Sequence, residues 1–222
     1  MSPQVRDALR PHLEQVEFGL RDVVQHQDAP ITSVFFPETG WFSLLAYMED
    51  GDATEVGLIG REGMLGLPVL LGQRTATLEA MVQGAGTAWR MDVVEFGRQV
   101  DAAPPLRDLL LRYVMMHHEQ VTRTAACNSR HPSGERLARW MLMAHDRADG
   151  DSFAMTHEFM AMMLGIRRAS VTVAAAALQE AGLIRYERGH VTVKNRTGLE
   201  DAACECYGAV RRAQARLMCT PG

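Results

Sequence analysis

The side chains able to do chemistry fall into three groups, and the spacing of only one commits it to a task. The first group is the cysteines, Cys127, Cys204, Cys206 and Cys219, all in the second half of the 222 residues. Cys204 and Cys206 stand two apart, and on one helix they would point to nearly opposite sides, a poor arrangement for holding one metal ion. Cys127 reads either as a redox thiol or as a buried structural cysteine, and the set does not look like a secreted disulfide framework. The second group is scattered. His117-His118 are adjacent, so on a helix they point about 100° apart and do not chelate from one chain, which leaves only a haem or metal held across a dimer. Asp50 and Asp52 straddle Gly51, where solvated acids are ordinary. No phosphate-cradling glycine loop, histidine pair at i, i+4 or nucleophile elbow is present, so neither catalytic residues, a metal nor an enzyme is expected. The third group does have spacing. Thr156, His157, Arg167, Arg168, Ser170 and Thr172 lie in one stretch, and Arg185, Arg188 and Lys194 follow at positions suited to phosphates.

The elements that must carry this third group are legible. Thr156 reads as an N-cap, His157 to Leu164 as a short helix, Gly165 as a turn tolerating φ > 0, and a second helix begins at Arg167. Met160, Leu164, Ile166, Val171 and Ala174 are apolar where two crossed helices must touch, and Ala161 is small where they come closest. A generic helical hairpin does not need all these residues together. The pattern is a helix-turn-helix and points to double-stranded DNA. Leu178 to Gly182 ends the second helix. Ile184 to Tyr186 and His190 to Val193 read as two strands with Arg188-Gly189 turning between them, which makes the motif winged. A winged helix used only for protein contacts, as a ligand-independent architectural module, is the alternative.

The formal charge of −4 sits oddly with DNA binding until the chain is divided. Up to Ala126 there are 10 Lys/Arg against 17 Asp/Glu, and from Cys127 onward 13 against 10. An acidic first half and a mildly basic second half fit a sensor domain joined to a DNA-binding domain. No segment reaches the roughly 18 apolar residues of a membrane span, and no signal peptide is recognisable, so a cytoplasmic protein without a membrane partner is expected.

The first hundred or so residues read as mostly β. A short helix, Pro3 to Leu13, precedes the run Phe18 to Val24. Val34 to Pro37, Gly40 to Met48, Glu55 to Ile59, Leu78 to Val82 and Thr87 to Met91 are short strands separated by turn clusters, as in an antiparallel barrel or jelly roll. After Pro104-Pro105 a long helix runs from Leu106 to about Cys127. Leu110, Val114, His117, Val121 and Thr124 recur at spacings of four and three, as a two-helix seam requires, although a helix packed on its own barrel gives the same spacing. Asn128 to Ser133 reads as a hinge and Gly134 to Arg147 as a helix N-capped by Ser133. Ala148 to Asp151 reads as a link, and Leu199 to Met218 as a final helix. The fold class is α+β, with domains at 1–103 (sensor), 104–131 (dimerisation helix and hinge) and 132–222 (DNA-binding).

This order of parts resembles the Crp/Fnr family of bacterial transcription regulators, most closely over Met155 to Val193 and the segment Leu164-Gly165-Ile166-Arg167-Arg168-Ala169-Ser170-Val171. The resemblance implies a parallel dimer through the long helix, a two-fold symmetric operator, and RNA polymerase as a further partner. It makes Arg168 the arginine that reads a base edge, and the planar fork suits guanine O6 and N7. Arg167 is a second contact or a solvated charge. Ser170 and Thr172 reach phosphates or bases, Val173 a thymine methyl, and Thr156 and His157 a backbone phosphate. Ala169 and Val173 replace residues of the cyclic-AMP-responsive members, so the operator should differ from theirs. In the sensor, Gly66 is followed by Leu67 where those members carry a ribose-binding glutamate, while Gln73-Arg74-Thr75 still resembles the phosphate end. Gly66, Arg74 and Thr75 are thus the candidate ligand residues. Cyclic AMP, another nucleotide or acid, and no effector at all stay open. The iron–sulfur members use N-terminal cysteines, which this chain lacks.

Overall fold

The computed structural model describes residues 3–218, so Cys219 lies outside the described residues. The chain divides into two compact units. One contains the segment up to Leu44, Ile59–His118 and the segment from Ala213; the other contains Leu45–Leu58 and Glu119–Arg212.

The first unit holds most of a β-roll with helices, and the roll's hairpin at residues 45–58 falls in the second. Helix α1 (Pro3–Leu9) and a single 3-10 turn lead into β1 (Glu14–Phe18), β2 (Val23–Gln25), β3 (Ser33–Pro37), β4 (Trp41–Tyr47), β5 (Ala53–Ile59), β6 (Glu79–Gly84) and β7 (Gly86–Asp92). The sheets have the orders β1-β7-β3 and β2-β6-β4-β5. β7 is antiparallel to both β1 and β3, with Glu14 opposite Arg90 and Ser33 opposite Asp92. Within the run Phe18 to Val24, Gly19–Asp22 is a turn between β1 and β2, because the Asp22 carboxylate accepts the Gly19 N–H at 2.7 Å and Arg21 takes φ 71. Two helices were not foreseen, α2 (Leu67–Leu70) and α3 (Val93–Ala102). Asp92 caps α3 by accepting from the Val94 and Glu95 amides at 2.8 and 3.3 Å, a D-x-x-E signal that is present in the sequence.

Helix α4 runs Pro104–Arg130, longer at both ends than expected. In the first unit its residues Leu106, Leu110, Tyr113 and Met116 are buried with Leu9, Val34, Met64, Met91, Phe96 and Val100. A Cβ on Gly63 would overlap the Tyr113 ring, so the helix approaches where only glycine fits. One residue of the expected seam, Leu110, is buried within the unit, and Val114, His117, Val121 and Thr124 are half-buried. Leu110 faces its own core, whereas Leu111 and Met115, 39% and 54% exposed, form an outward apolar stripe shifted by one residue.

The second unit is built around α5 (Ser133–His145), whose residues from Arg136 to Ala144 are all buried. A helix buried on every face is a core helix. Pro132, not Ser133, is the N-cap, so the break between α4 and α5 narrows to His131 and Pro132. The unit also contains β8 (Ser152–Ala154), α6 (His157–Leu164), α7 (Arg168–Glu180), β9 (Ile184–Glu187), β10 (His190–Val193), α8 (Arg196–Ala202) and, up to Arg212, α9 (Cys206–Met218), with the strands ordered β8-β10-β9. The expected final helix is thus broken: Ala203 is extended at φ −84, ψ 153, and Cys204 lies in the break while Cys206 opens the next helix.

Arg196 holds this region together. Its guanidinium meets Asp146 at 2.5 Å, His145 Nδ1 at 2.8 Å and Glu200 at 3.1 Å, and it donates to the Tyr207 hydroxyl. Burial, then the Asp146 charge, pushes the Tyr207 phenol up to about 12, so it stays protonated and donates to Asp146. Arg196→Ala leaves Asp146 and Glu200 without their cation above the buried Tyr207, and should cost about 2 kcal/mol in thermal unfolding. A loss below about 0.5 kcal/mol would show the network to be solvated surface. No single helix among the described residues is long and apolar enough to cross a membrane.

Candidate nucleic-acid interface

Helix α6 is fixed at both ends by local chemistry. The Thr156 hydroxyl accepts the Phe159 amide at 3.3 Å, and Gly165 at φ 59 lets the Ile166 amide reach the Ala161 carbonyl at 3.0 Å. Arg167 is extended and serves as N-cap residue, so α7 starts at Arg168, one residue later than expected. The axes of α6 and α7 bend by 108°, within the range of a helix-turn-helix. Met160, Leu164, Val171 and Ala174 are buried as the spacing required, and Ile166 is half-buried.

This leaves one face of α7 in solvent. Arg168, Ala169, Ser170, Thr172 and Val173 are exposed, and Val173, at 72%, is an apolar side chain with no core to join. Arg167 is exposed beside them. Arg168 Nε lies 2.8 Å from the Glu158 carboxylate, and both side chains are well exposed. An ion pair this open adds little stability, but it restrains the direction of the guanidinium. Glu158 is a residue the sequence reading missed.

His157 and Thr172 are placed differently from a simple phosphate contact. The Thr172 hydroxyl donates to the Arg168 carbonyl at 3.1 Å and so accepts from His157 Nδ1 at 3.0 Å. The His157 ring stacks on Tyr186 of β9, centroids 4.4 Å apart and 20° from parallel. His157 therefore ties the recognition helix to the wing. Burial, then the Arg168 charge, holds its imidazole below the ordinary value of 6.5. The folded state thus binds fewer protons than the unfolded chain, and the stability due to neutral His157 is lost as pH falls through 6.5 towards the folded value. His157→Phe keeps the stack and removes the titration. The wild type should lose more melting temperature than this variant between about pH 7 and 5.5, and parallel profiles would refute the role.

The wing alternates as a two-stranded ribbon must. Ile184, Val191 and Val193 are buried, while Arg185 and Glu187 point the other way, opposite Thr192 and His190. Arg188 at φ 48 and Gly189 at φ 78 make the tight turn. Arg185, Arg188, His190 and Lys194 line a polar concavity of about 380 Å³, and Arg185 is paired with Glu187 at 2.6 Å.

The β4–β5 hairpin, residues 45–58, belongs to the same unit and reaches this motif. Thr54 lies against Gly165, where an added Cβ would meet its hydroxyl at 3.2 Å. Trp140 Nε1 of α5 donates to the buried Glu55 carboxylate at 2.8 Å, and Gln120 Nε2 of α4 donates to the Leu58 carbonyl at 2.9 Å. Arg147 in turn donates to the Gln120 side-chain oxygen at 3.3 Å. No sequence pattern announces these contacts.

The proposed ligand residues sit in the first unit. Gly66, at φ 104, is the N-cap of α2, and Leu67 opens that helix and packs against the core. Arg74 and Thr75 are exposed, on a segment whose backbone pairs with Pro30 and Ile31. An apolar groove of about 720 Å³ lies elsewhere in the unit, lined by Leu9, Trp89, Leu110 and Tyr113 among others. Of the proposed dimer residues, Val114, His117 and Val121 are half-buried, and Thr124 is engaged by Gln120 and Arg139 at 3.0 Å each.

Comparison with known proteins agrees with this anatomy. The cyclic nucleotide-binding domain family matches residues 15–102 and the Crp-like helix-turn-helix domain family residues 135–202. No curated protein matches the chain. Among solved structures, FixK2 from Bradyrhizobium japonicum superposes with a TM-score of 0.74 at 15% identity, over 86% of this chain and 98% of that one. The c-di-GMP-responsive global regulator CLP of Xanthomonas campestris gives 0.69 at 15%, over 86% and 99%. A CRP/FNR-family transcriptional regulator from Thermus thermophilus gives 0.67 at 20%, over 86% and 98%. At these identities the likeness shows the fold, and the two domain matches carry the family. The chain belongs to the Crp/Fnr family of transcription regulators, joining a cyclic nucleotide-binding-type β-roll to a Crp-like helix-turn-helix DNA-binding domain.

Proposed function

We propose that the protein is a homodimeric reader of a two-fold symmetric DNA site, with α7 in the major groove and the wing on the backbone. One observation carries this reading: α7, locked by Thr156 and Gly165 at 108° to α6, presents Arg168, Ser170 and the 72% exposed Val173 on one open face. Arginine supplies a bidentate donor for guanine and valine an apolar surface for a thymine methyl. Arg167, Arg188 and Lys194 supply phosphate contacts that position the helix. The outward stripe of α4, with Leu111, Met115, His118 and Thr122 at spacings of four, three and four, supplies the dimer contact.

The effector is an anionic ligand other than cyclic AMP. Leu67 provides no carboxylate for a ribose hydroxyl, and Arg74 and Thr75 retain a phosphate-type donor pair. The β4–β5 hairpin is the mechanical link. It is continuous with the β-roll strands, and Thr54 rests on the Gly165 turn, so a sensor state that moves it biases the recognition helix. RNA polymerase is the partner through which the bound dimer would act.

Selection of binding sites from random DNA with ligand-free, purified protein tests the reading. The expected product is a palindrome with half-sites about one helical turn apart. Enrichment of a single asymmetric half-site, or none from folded protein with any nucleotide added, would overturn it. On the selected site, millimolar cyclic AMP should leave the affinity unchanged. A tenfold shift would show that the ribose is held without the missing carboxylate.

A further inference from the structure

Four potential metal ligands converge in the second unit, where neither domain match assigns a function to them. Cys127 is one turn from the end of α4, and His131 lies just past that end, its backbone amide still bonded to the Cys127 carbonyl at 3.0 Å. Cys204 lies in the break between α8 and α9, and Cys206 opens α9. That break brings together two side chains that a continuous helix would have sent apart. One ligand atom from each of the four residues lies within 4.8 Å of all the others. Cys127 Sγ and Cys204 Sγ are 3.4 Å apart, and Cys206 Sγ is 3.8 Å from His131 Nδ1. The three cysteines are 0%, 5% and 2% exposed and form a buried cluster of their own.

We propose that Cys127, His131, Cys204 and Cys206 bind one tetrahedral zinc ion that pins the end of α4 to the α8–α9 break. The size of the cluster supports a single ion. Bonds of about 2.3 Å to sulfur and 2.0 Å to nitrogen give tetrahedral edges of roughly 3.5–3.8 Å, close to the Cys127–Cys204 and Cys206–His131 separations of 3.4 and 3.8 Å. An iron–sulfur cluster places several iron and sulfide atoms between its cysteines and needs wider spacing. A disulfide between Cys127 and Cys204 would leave Cys206 and His131 without a task.

The surroundings also suit an ion. His131 Nε2 lies 3.1 Å from the Glu205 carboxylate, which fixes the ring and leaves Nδ1 with its lone pair towards the sulfurs, as partners of ligating histidines do. Arg136 and Arg139 are buried at 8% and 4% exposure, and the Nε of each has no hydrogen-bond partner. Burial disfavours the charge on Arg136, and the hydrogen bond its guanidinium does make goes to the neutral Leu164 carbonyl. Buried cations need compensating anions. Three thiolates around a divalent ion carry one net negative charge and answer that need. With four protein ligands the site has no open position and is structural.

The test uses the full chain, reduced under anaerobic conditions and reconstituted with zinc, then with cobalt(II). One equivalent of metal per chain is expected, with thiolate-to-cobalt charge-transfer bands and the d–d bands of a tetrahedral site. Zinc should protect three of the four cysteines from alkylation. Cys204→Ser should lose the metal, whereas Glu205→Gln should keep the stoichiometry with about 10- to 100-fold weaker affinity. Equal alkylation of all four cysteines with and without zinc, or cobalt bound without charge-transfer bands, would overturn the proposal. So would a chain that isolates with a Cys127–Cys204 disulfide and takes up no metal after reduction. The spectra and the alkylation use wild-type protein, so the conclusion does not depend on the variants folding.

Discussion

Arg168→Ala is expected to weaken binding to the selected operator by about 5- to 150-fold, or 1–3 kcal/mol, and to relax preference at one base pair per half-site. The geometry makes this more than a charge effect. Arg168 stands at the first position of α7, and Glu158 holds its Nε at 2.8 Å, which leaves the terminal nitrogens of the fork for a base edge. A phosphate contact would behave differently, weakening all sequences about equally and lowering the salt slope by roughly one. Arg188→Ala at the wing turn should follow that second pattern. Glu158→Gln separates orientation from charge. Removing a negative charge near DNA raises affinity for any sequence, but an unrestrained fork discriminates less, so the ratio of operator to random affinity should fall. Competition binding by fluorescence anisotropy at fixed salt measures all three. Equal losses on operator and random DNA for Arg168→Ala would remove Arg168 from the base-reading role.

The parts of this interface that were legible beforehand are those whose causes are local. Thr156 as a cap, Gly165 as a left-handed turn and Arg188-Gly189 as a hairpin turn follow from conformational preferences of single residues. What escaped has causes distant in the chain. Tyr186 under His157, Thr54 on Gly165 and Glu55 on Trp140 are contacts between separate elements, and no spacing rule predicts them. The α8–α9 break is of the same kind. Ala203 and Cys204 carry no strong stop signal, so a continuous helix was the natural reading, and it hid the convergence with Cys127 and His131. Helix α3 is the opposite case, since the Asp92-to-Glu95 cap was written in the sequence and overlooked.

Helix α4 shows that periodicity alone does not single out a face, and it sets the second large effect. The helix has two apolar stripes one residue apart. Leu106, Leu110, Tyr113 and Met116 fill the core of the first unit, while Leu111 and Met115 face outward. Both obey spacings of three and four, so only burial tells them apart. Paired Leu111→Glu and Met115→Glu changes should leave the β-roll folded, because neither side chain belongs to its core, and should convert the dimer to a monomer by light scattering. A monomer engages one half-site at a time and loses the effective concentration that its tethered partner provides, so operator affinity should fall by about 10²- to 10⁴-fold. Affinity for an isolated half-site should hardly change, which distinguishes lost dimerisation from a damaged reading head. Leu110→Glu should act otherwise, lowering the melting temperature through a buried charge before any effect on oligomeric state. If the double variant stays dimeric and Leu110→Glu alone dissociates it without unfolding, the seam lies on the other stripe, and the core assignment of Leu110 falls with it.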